Sequence, residues 1–286
     1  MITPKVKSLK SYKTPLRYPG GKSRALSKLF QFIPDLSQYK EYREPFLGGG
    51  SVAIEIGKRY PHLNIWVNDL YEPLYNFWSE LQHNGDQLYQ ELFDLKTVYC
   101  NPDAARCLFQ SMKDSGINDK EKTNLERAVA FYVVNKCSFS GLTESSSFSA
   151  QASDSNFSMR GIEKLPEYSE LISNWHINQY SYEYLMRENV HDGIFMYLDP
   201  PYEIKIPIYG KRGAMHKYFD HDKFADDCNN SKIHMLISYN SSQIIKDRFK
   251  NWSVGEFDLT YSMRTTGDYM KNQKDRKELM LFNYGT

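Results

Sequence analysis

The apolar positions fall into two regimes that alternate along the chain. Leu26, Leu29, Phe30 and Ile33 keep the i, i+3, i+4, i+7 spacing of an amphipathic helix, which the pattern starts after Gly20-Gly21 and stops at Pro34. A strand-like stretch from Tyr39 to Glu44 follows, then the glycine-rich run Phe46-Leu47-Gly48-Gly49-Gly50-Ser51, then a helical pattern through Val52, Ala53 and Ile56. Asn64 to Asp69 reads as a second strand ending in an acid. This succession is a βαβ unit, the building block of a parallel sheet. From about Phe77 to Ser173 the pattern is helical, at Leu81 to Leu95 and Leu125 to Val134, and includes a serine-rich loop from Ser138 to Ser158. Three apolar runs then restore the strand character: Gly193 to Leu198, Lys232 to Ser238 and Lys277 to Phe282. The pattern predicts a doubly wound α/β protein built from residues 1–76 and 174–286, interrupted at 77–173 by a mostly helical insertion. There is no internal repeat.

Composition changes this picture little. With 286 residues, 41% hydrophobic and 25% charged, the chain has enough apolar material for a full core. No apolar run reaches the roughly 18–20 residues of a membrane span, and the first residues lack the apolar stretch of a secretory signal, so a cytoplasmic protein is expected. The four cysteines form no CxxC pair, so reduced thiols and no metal site are expected. Net charge is only +1, but phosphate responds to local clustering. Eight basic residues and no acidic one lie between Met1 and Pro34. Lys271, Lys274, Arg276 and Lys277 surround Asp275 alone. Either cluster taken singly is as consistent with a solvated surface as with a nucleic-acid contact.

Three motifs carry candidate chemistry. Asp199-Pro200-Pro201-Tyr202 ends an apolar strand, where ligands bind in open α/β sheets. Two prolines donate no backbone hydrogen bond and fix their own φ, which makes a stiff loop with free carbonyls. An exocyclic amino group has two hydrogens to give; the Asp199 carboxylate and the Pro200 carbonyl would accept both and turn the nitrogen lone pair toward an incoming methyl. Tyr202 would stack on the base. The second motif, Glu44-Pro45-Phe46-Leu47-Gly48-Gly49-Gly50-Ser51, lets backbone approach a bulky ligand, with Gly48 and Gly50 in the turn. It is not GxGxxG. Asp69, at the tip of the next strand, is placed to accept hydrogen bonds from a ribose diol. Alone, this pair is equally a tight turn with a strand-end cap. The third motif, Arg17-Tyr18-Pro19-Gly20-Gly21-Lys22-Ser23, superficially suggests a phosphate-binding loop, but that pattern needs a glycine where Leu16 stands. Tyr18 and Lys22 could instead clasp a ligand carrying an aromatic ring and a carboxylate.

In this order the motifs resemble the Dam-like family of DNA adenine methyltransferases, including its bacteriophage members, over nearly the whole chain. The resemblance implies a Rossmann-like methyltransferase sheet, a target-recognition domain at 77–173, S-adenosylmethionine as cofactor and double-stranded DNA as substrate. Tyr18, Lys22, Phe46, Asp69 and Asp199 would contact the cofactor, with Asp69 on the ribose and Lys22 near the methionine carboxylate. Asp199 through Tyr202 would hold an adenine flipped out of the duplex, whose nitrogen attacks the sulfonium methyl in line with no metal. Phe131 to Leu142 looks like the family's passage from helix to recognition loop. Asn135, Lys136 and Ser138 are the DNA-contact candidates there, and Phe139, a wedge or a core aromatic, reads as core. Thr260 to Lys277 resembles a loop that tracks the DNA backbone through Arg264, Lys271, Lys274 and Arg276. One feature departs from the family: Thr143 to Ser149 carries no arginine, the side chain best suited to bidentate guanine readout, so GATC is not the expected site. An RNA adenine, a cytosine amino group and a non-catalytic nucleic-acid-binding role are the alternatives. A cognate restriction endonuclease is a possible functional partner.

Overall fold

The computed structural model describes residues 14–141, 143, 146–203, 218–258 and 277–285. Seven strands form one sheet: β1 (Glu41–Glu44), β2 (Asn64–Asn68), β3 (His176–Asn178), β4 (Ile194–Leu198), β5 (His234–Asn240), β6 (Ser253–Asp258) and β7 (Lys277–Phe282). Their order is β3-β2-β1-β4-β5-β7-β6. The first five run parallel, while β7 is antiparallel to both β5 and β6. Tyr42 of β1 sits in register with Ile65 on one side and Phe195 on the other, so β1 is an interior strand, and the strand order reverses beside it, between β1 and β4.

Both faces of the sheet are covered, which is why strands such as β4 read as unbroken apolar runs. Alternate side chains of β4 enter opposite cores. Phe195 and Tyr197 join the cluster containing Val52, Ile54, Phe77, Leu81 and Phe131, whereas Ile194, Met196 and Leu198 join the one containing Phe224, Ile237, Ile245 and Leu281. On the first face lie α1 (Leu26–Leu29) and α2 (Ser51–Arg59). The same face carries α3 (Glu72–His83), α4 (Gly85–Val98), α5 (Pro102–Ser115), α6 (Asn124–Cys137), α7 (Ala150–Ser155), α8 (Met159–Ile162) and α9 (Leu165–Leu171). The second face carries α10 (Glu183–Arg187), α11 (His221–Asn229) and α12 (Gln243–Arg248). Except for α7, which packs on α5 and α6, the helices between β2 and β3 therefore share one hydrophobic cluster with the sheet.

Local chemistry sets the element ends. Thr123 and Glu126 close a capping box at the start of α6, and Asn101 caps α5, whose first residue is a proline. The periodicity from Leu81 to Leu95 predicts one helix, but the chain breaks at Asn84 into α3 and α4. A Cβ on Gly85 would lie 2.3 Å from Ser169 Oγ, so a glycine is required where α4 begins beside α9. The helix expected after Gly21 is shorter than its spacing suggests. Lys22–Arg24 winds as a 3-10 turn, α1 has one turn, and i to i+3 bonds finish the segment before Pro34. β3 and β6 were not expected, since one is three half-polar residues and the other alternates polar and apolar at the sheet edge.

Candidate active site

Ligands in open α/β sheets bind at the carboxyl ends of strands where their order reverses, here beside β1. Three acids converge on that edge: Glu44 ends β1, Asp69 follows β2 and Asp199 follows β4. They line one cleft with Tyr18, Lys22, Phe46, Gly48 and Pro201. The cleft floor is the turn between β1 and α2. Gly48 and Gly50 have φ of 50° and 68°, the left-handed region that glycine adopts without penalty. A Cβ on Gly48 would come 3.0 Å from the Tyr18 ring and one on Gly50 2.8 Å from the Trp78 ring, whose indole N–H donates to the Gly48 carbonyl at 3.1 Å. The glycines therefore let Tyr18 lie directly on the turn.

Asp199 is fixed from both sides. Its Oδ2 accepts from Lys22 Nζ at 2.6 Å and its Oδ1 from the Ser238 hydroxyl of β5 at 2.7 Å. Because Ser238 spends its one hydrogen on Asp199, the 2.8 Å contact with the Tyr197 hydroxyl has the tyrosine as donor. Lys22, only 2% exposed, also donates to the Gly20 carbonyl at 3.0 Å and lies 3.5 Å from Glu278 Oε1 and 5.1 Å from the centre of the Tyr202 ring. Burial favours the neutral amine, but Asp199 and Glu278 outweigh it and hold the ammonium above the usual lysine range. The Tyr202 hydroxyl donates to Glu278.

The other two acids are held differently. Burial pushes the Glu44 carboxyl up to about 8, against the hydrogen bond from Tyr42 at 2.6 Å, and the charge of Asp199 adds to the rise. Burial pushes Asp69 up to about 6, opposed by the backbone N–H groups of Tyr71 at 3.0 Å and Gly48 at 2.9 Å. Each oxygen of Asp69 keeps a second acceptor lone pair. Among the described residues no group of three or more His, Cys, Asp or Glu side chains is arranged to hold a metal.

Several residues singled out in the sequence have partners within the protein. Lys22, expected at a carboxylate of the cofactor, is paired with carboxylates of the protein itself. Asn135 and Ser138, singled out as DNA contacts, are fully buried and bonded within the protein. The Asn135 amide accepts from Arg17 N at 3.0 Å and donates to the carbonyls of Arg17 and Gly141 at 2.6 and 2.9 Å, clipping the Tyr18 segment to the end of α6. Ser138 donates to the Asn135 carbonyl. Lys136 is also buried, 5.2 Å from the Tyr132 ring, and burial with the nearby Arg17 charge pushes it down to about 7. Phe139 is the reverse case: expected in the core, it is 54% exposed on the 3-10 turn Phe139–Gly141. Arg264, Lys271, Lys274 and Arg276 lie outside the described residues. Ser238 and Glu278 were missed; for Glu278 the signal was present, an acid inside the apolar run Lys277 to Phe282.

Residues 18–263 match the family described as D12 class N6 adenine-specific DNA methyltransferase. The chain is 26% identical over 222 residues to the type II methyltransferase M.MjaIII of Methanocaldococcus jannaschii, covering 74% of this chain and 75% of that one. It is 24% identical over 291 residues to the type II methyltransferase M1.LlaDCHI of Lactococcus lactis subsp. cremoris, covering 94% of each. A third relative, the type II methyltransferase M.CviBI of Paramecium bursaria Chlorella virus NC1A, is 20% identical over 274 residues, or 94% of this chain and 98% of that one. These matches decide for adenine in DNA over RNA or cytosine acceptors and for an enzyme over a binding module. A strand-end acid held across a glycine turn, in a chain matched over most of its length, thus belongs to a member of the D12 class of N6 adenine-specific DNA methyltransferases.

Proposed function

We propose that the cleft around β1 binds S-adenosylmethionine and presents its methyl to an adenine held by Asp199, Pro200 and Tyr202. One observation carries this reading: Asp69 and Asp199, each just beyond the tip of a strand that flanks β1, face the same cleft across the glycine turn. Asp69 would hold the ribose diol, Phe46 and Tyr18 would border the adenine and methionine parts, and the glycines leave no Cβ in the way. The donor suits the local charge. With Glu44 protonated, Asp199 and Glu278 exceed Lys22 by one negative charge, which favours a cationic sulfonium over the neutral thioether left after transfer.

The chain's own groups do the orienting. Ser238 and the prolines fix the carboxylate and carbonyl that accept the two amino hydrogens, leaving the lone pair of N6 directed along the cleft. Because that amino group is paired in a duplex, the base must leave the stack to reach Asp199. The helices of 77–173 form the recognition region in this reading, with the exposed Phe139 as a wedge into the space the base vacates. The absence of arginine between residues 142 and 149 argues for a site other than GATC. The enzyme would act in the cytoplasm; among the described residues no helix is long and apolar enough to cross a membrane. The type II names of the relatives make a companion restriction endonuclease the natural functional partner.

Incubating the protein with S-adenosylmethionine and genomic DNA, then sequencing modified bases, should place N6-methyladenine in one short sequence context. Methylation without a defined context, or on another base, would overturn the reading. Cofactor affinity should also depend on pH. The ribose hydroxyls donate to ionised Asp69, whose carboxyl is raised to about 6 in the free protein. Binding is then strongest above that value and weakens as pH falls through it, by up to about fourfold between about pH 7.5 and 5.5. Calorimetric titrations of the native protein and of Asp69→Asn, in which the profile should flatten, check the assignment.

A further inference from the structure

Lys22 donates to Asp199 at 2.6 Å and stands 3.5 Å from Glu278, so one buried ammonium lies between two carboxylates at the edge of the cleft. That arrangement poses a chemical problem. While the N6 lone pair forms the new N–C bond and the C–S pair returns to sulfur, positive charge develops on N6 until its extra proton leaves to solvent. An ammonium 2.6 Å from the carboxylate meant to stabilise that charge opposes it. Asp199 is also shared: Oδ1 already accepts from Ser238 and Oδ2 from Lys22, so an arriving amino hydrogen must share an oxygen with a bound donor, and at Oδ2 that donor is a full positive charge with which it competes.

Glu278 resolves the competition. It is 1% exposed, its nearer oxygen lies at the outer edge of hydrogen-bonding reach of Nζ, and it is already tied to the Tyr202 hydroxyl on the loop that carries Asp199. Lys22 is buried, so it cannot simply turn to water; a second carboxylate is the partner that lets it leave Asp199 without becoming an unpaired buried charge. We propose that Glu278 is a positioning residue for methyl transfer: as the target adenine arrives, Lys22 passes from Asp199 to Glu278, which frees Oδ2 for the amino group and keeps the Tyr202 ring in place. The same transfer guards the resting enzyme, because without a target Asp199 stays neutralised by Lys22. This inference rests on the reading of Asp199 as the amino-group acceptor.

The decisive comparison is Glu278→Gln with Glu278→Asp. Glutamine keeps the shape and still accepts from Tyr202, but offers Lys22 no charge; aspartate keeps the charge on a shorter stem. We expect the Glu278→Gln enzyme in single-turnover assays to transfer methyl at least about tenfold more slowly, with KM for S-adenosylmethionine within about threefold of normal, and the Glu278→Asp enzyme to recover part of the rate. A glutamine variant within about twofold of normal, or one slower than about tenfold only together with an equal rise in KM, overturns the proposal. So does a glutamine variant faster than the aspartate one, the order that a purely structural role predicts, and this ranking can be read even if both variants are less stable. Asp199→Asn run beside them separates the two readings. An active Asp199→Asn enzyme removes the acceptor role itself, whereas an inactive one beside a normal Glu278→Gln enzyme removes only the role of Glu278.

Discussion

Asp199→Asn is expected to lower the single-turnover rate of methyl transfer by about 100- to 1,000-fold while duplex binding stays within about threefold. The amide retains the volume and can still accept from Ser238, so the cleft keeps its shape. What is lost is the charge facing N6 and one acceptor for its hydrogens, both realised only as the lone pair turns toward the methyl. The effect should therefore fall on kcat and not on KM for DNA. A rate within a few-fold of normal would show that the carboxylate is a structural cap on β4, its partners Lys22 and Ser238 notwithstanding.

The largest loss of stability should come from Arg43→Leu. Arg43 lies on the interior strand β1 and is wholly buried, an unusual place for a guanidinium. Its Nε donates to Glu41, its Nη1 to the carbonyls of Leu185 and Glu188, and its plane lies 5.5 Å from the centre of the Trp66 ring. These bonds tie β1 to the end of α10. Leucine fills much of the stem but takes from the Glu41 carboxylate, itself 6% exposed, its counter-charge at Oε1, leaving it only Asn64 and His191 at Oε2, and deprives the carbonyls of this donor. Removing one partner from a buried pair costs about 3–5 kcal/mol, equivalent to a fall of about 10 °C in the unfolding midpoint for a chain of this size. The added change Glu41→Gln should restore part of it. A midpoint unchanged within about 2 °C would mean that the charge is solvated locally and contributes little.

These two residues also mark what the sequence could reveal. Strands β2, β4, β5 and β7 were legible because burial on both faces produces continuous apolar runs, and the acid after β2 and the acid after β4 were legible because strand tips place such residues at a ligand edge. β1 was visible only as a stretch between a helix and a glycine turn, since its residues Glu41 to Glu44 are mostly charged; their burial depends on partners such as Leu185 and Glu188, distant in sequence. The short edge strands β3 and β6 escaped because their patterns carry little hydrophobic signal. Strand order could not be read at all, and with it went the pairing of Lys22 with Glu278. Asn135 is a related case. A polar residue near the end of a helix beside a recognition loop suits DNA, yet here its amide satisfies three backbone groups of the protein, which no local pattern announces.

The lone reversed strand has a further consequence. Parallel strands deliver their final residues to the ligand edge, but β7 runs the other way and delivers its beginning, so Glu278 comes beside Lys22 as soon as the strand starts. The rest of β7 then wedges between β5 and β6, and among the described residues β6 pairs with no other strand. β7 thus joins β6 to the rest of the sheet and also supplies the second counter-charge for Lys22, so that completing the sheet and arming the cleft depend on one strand.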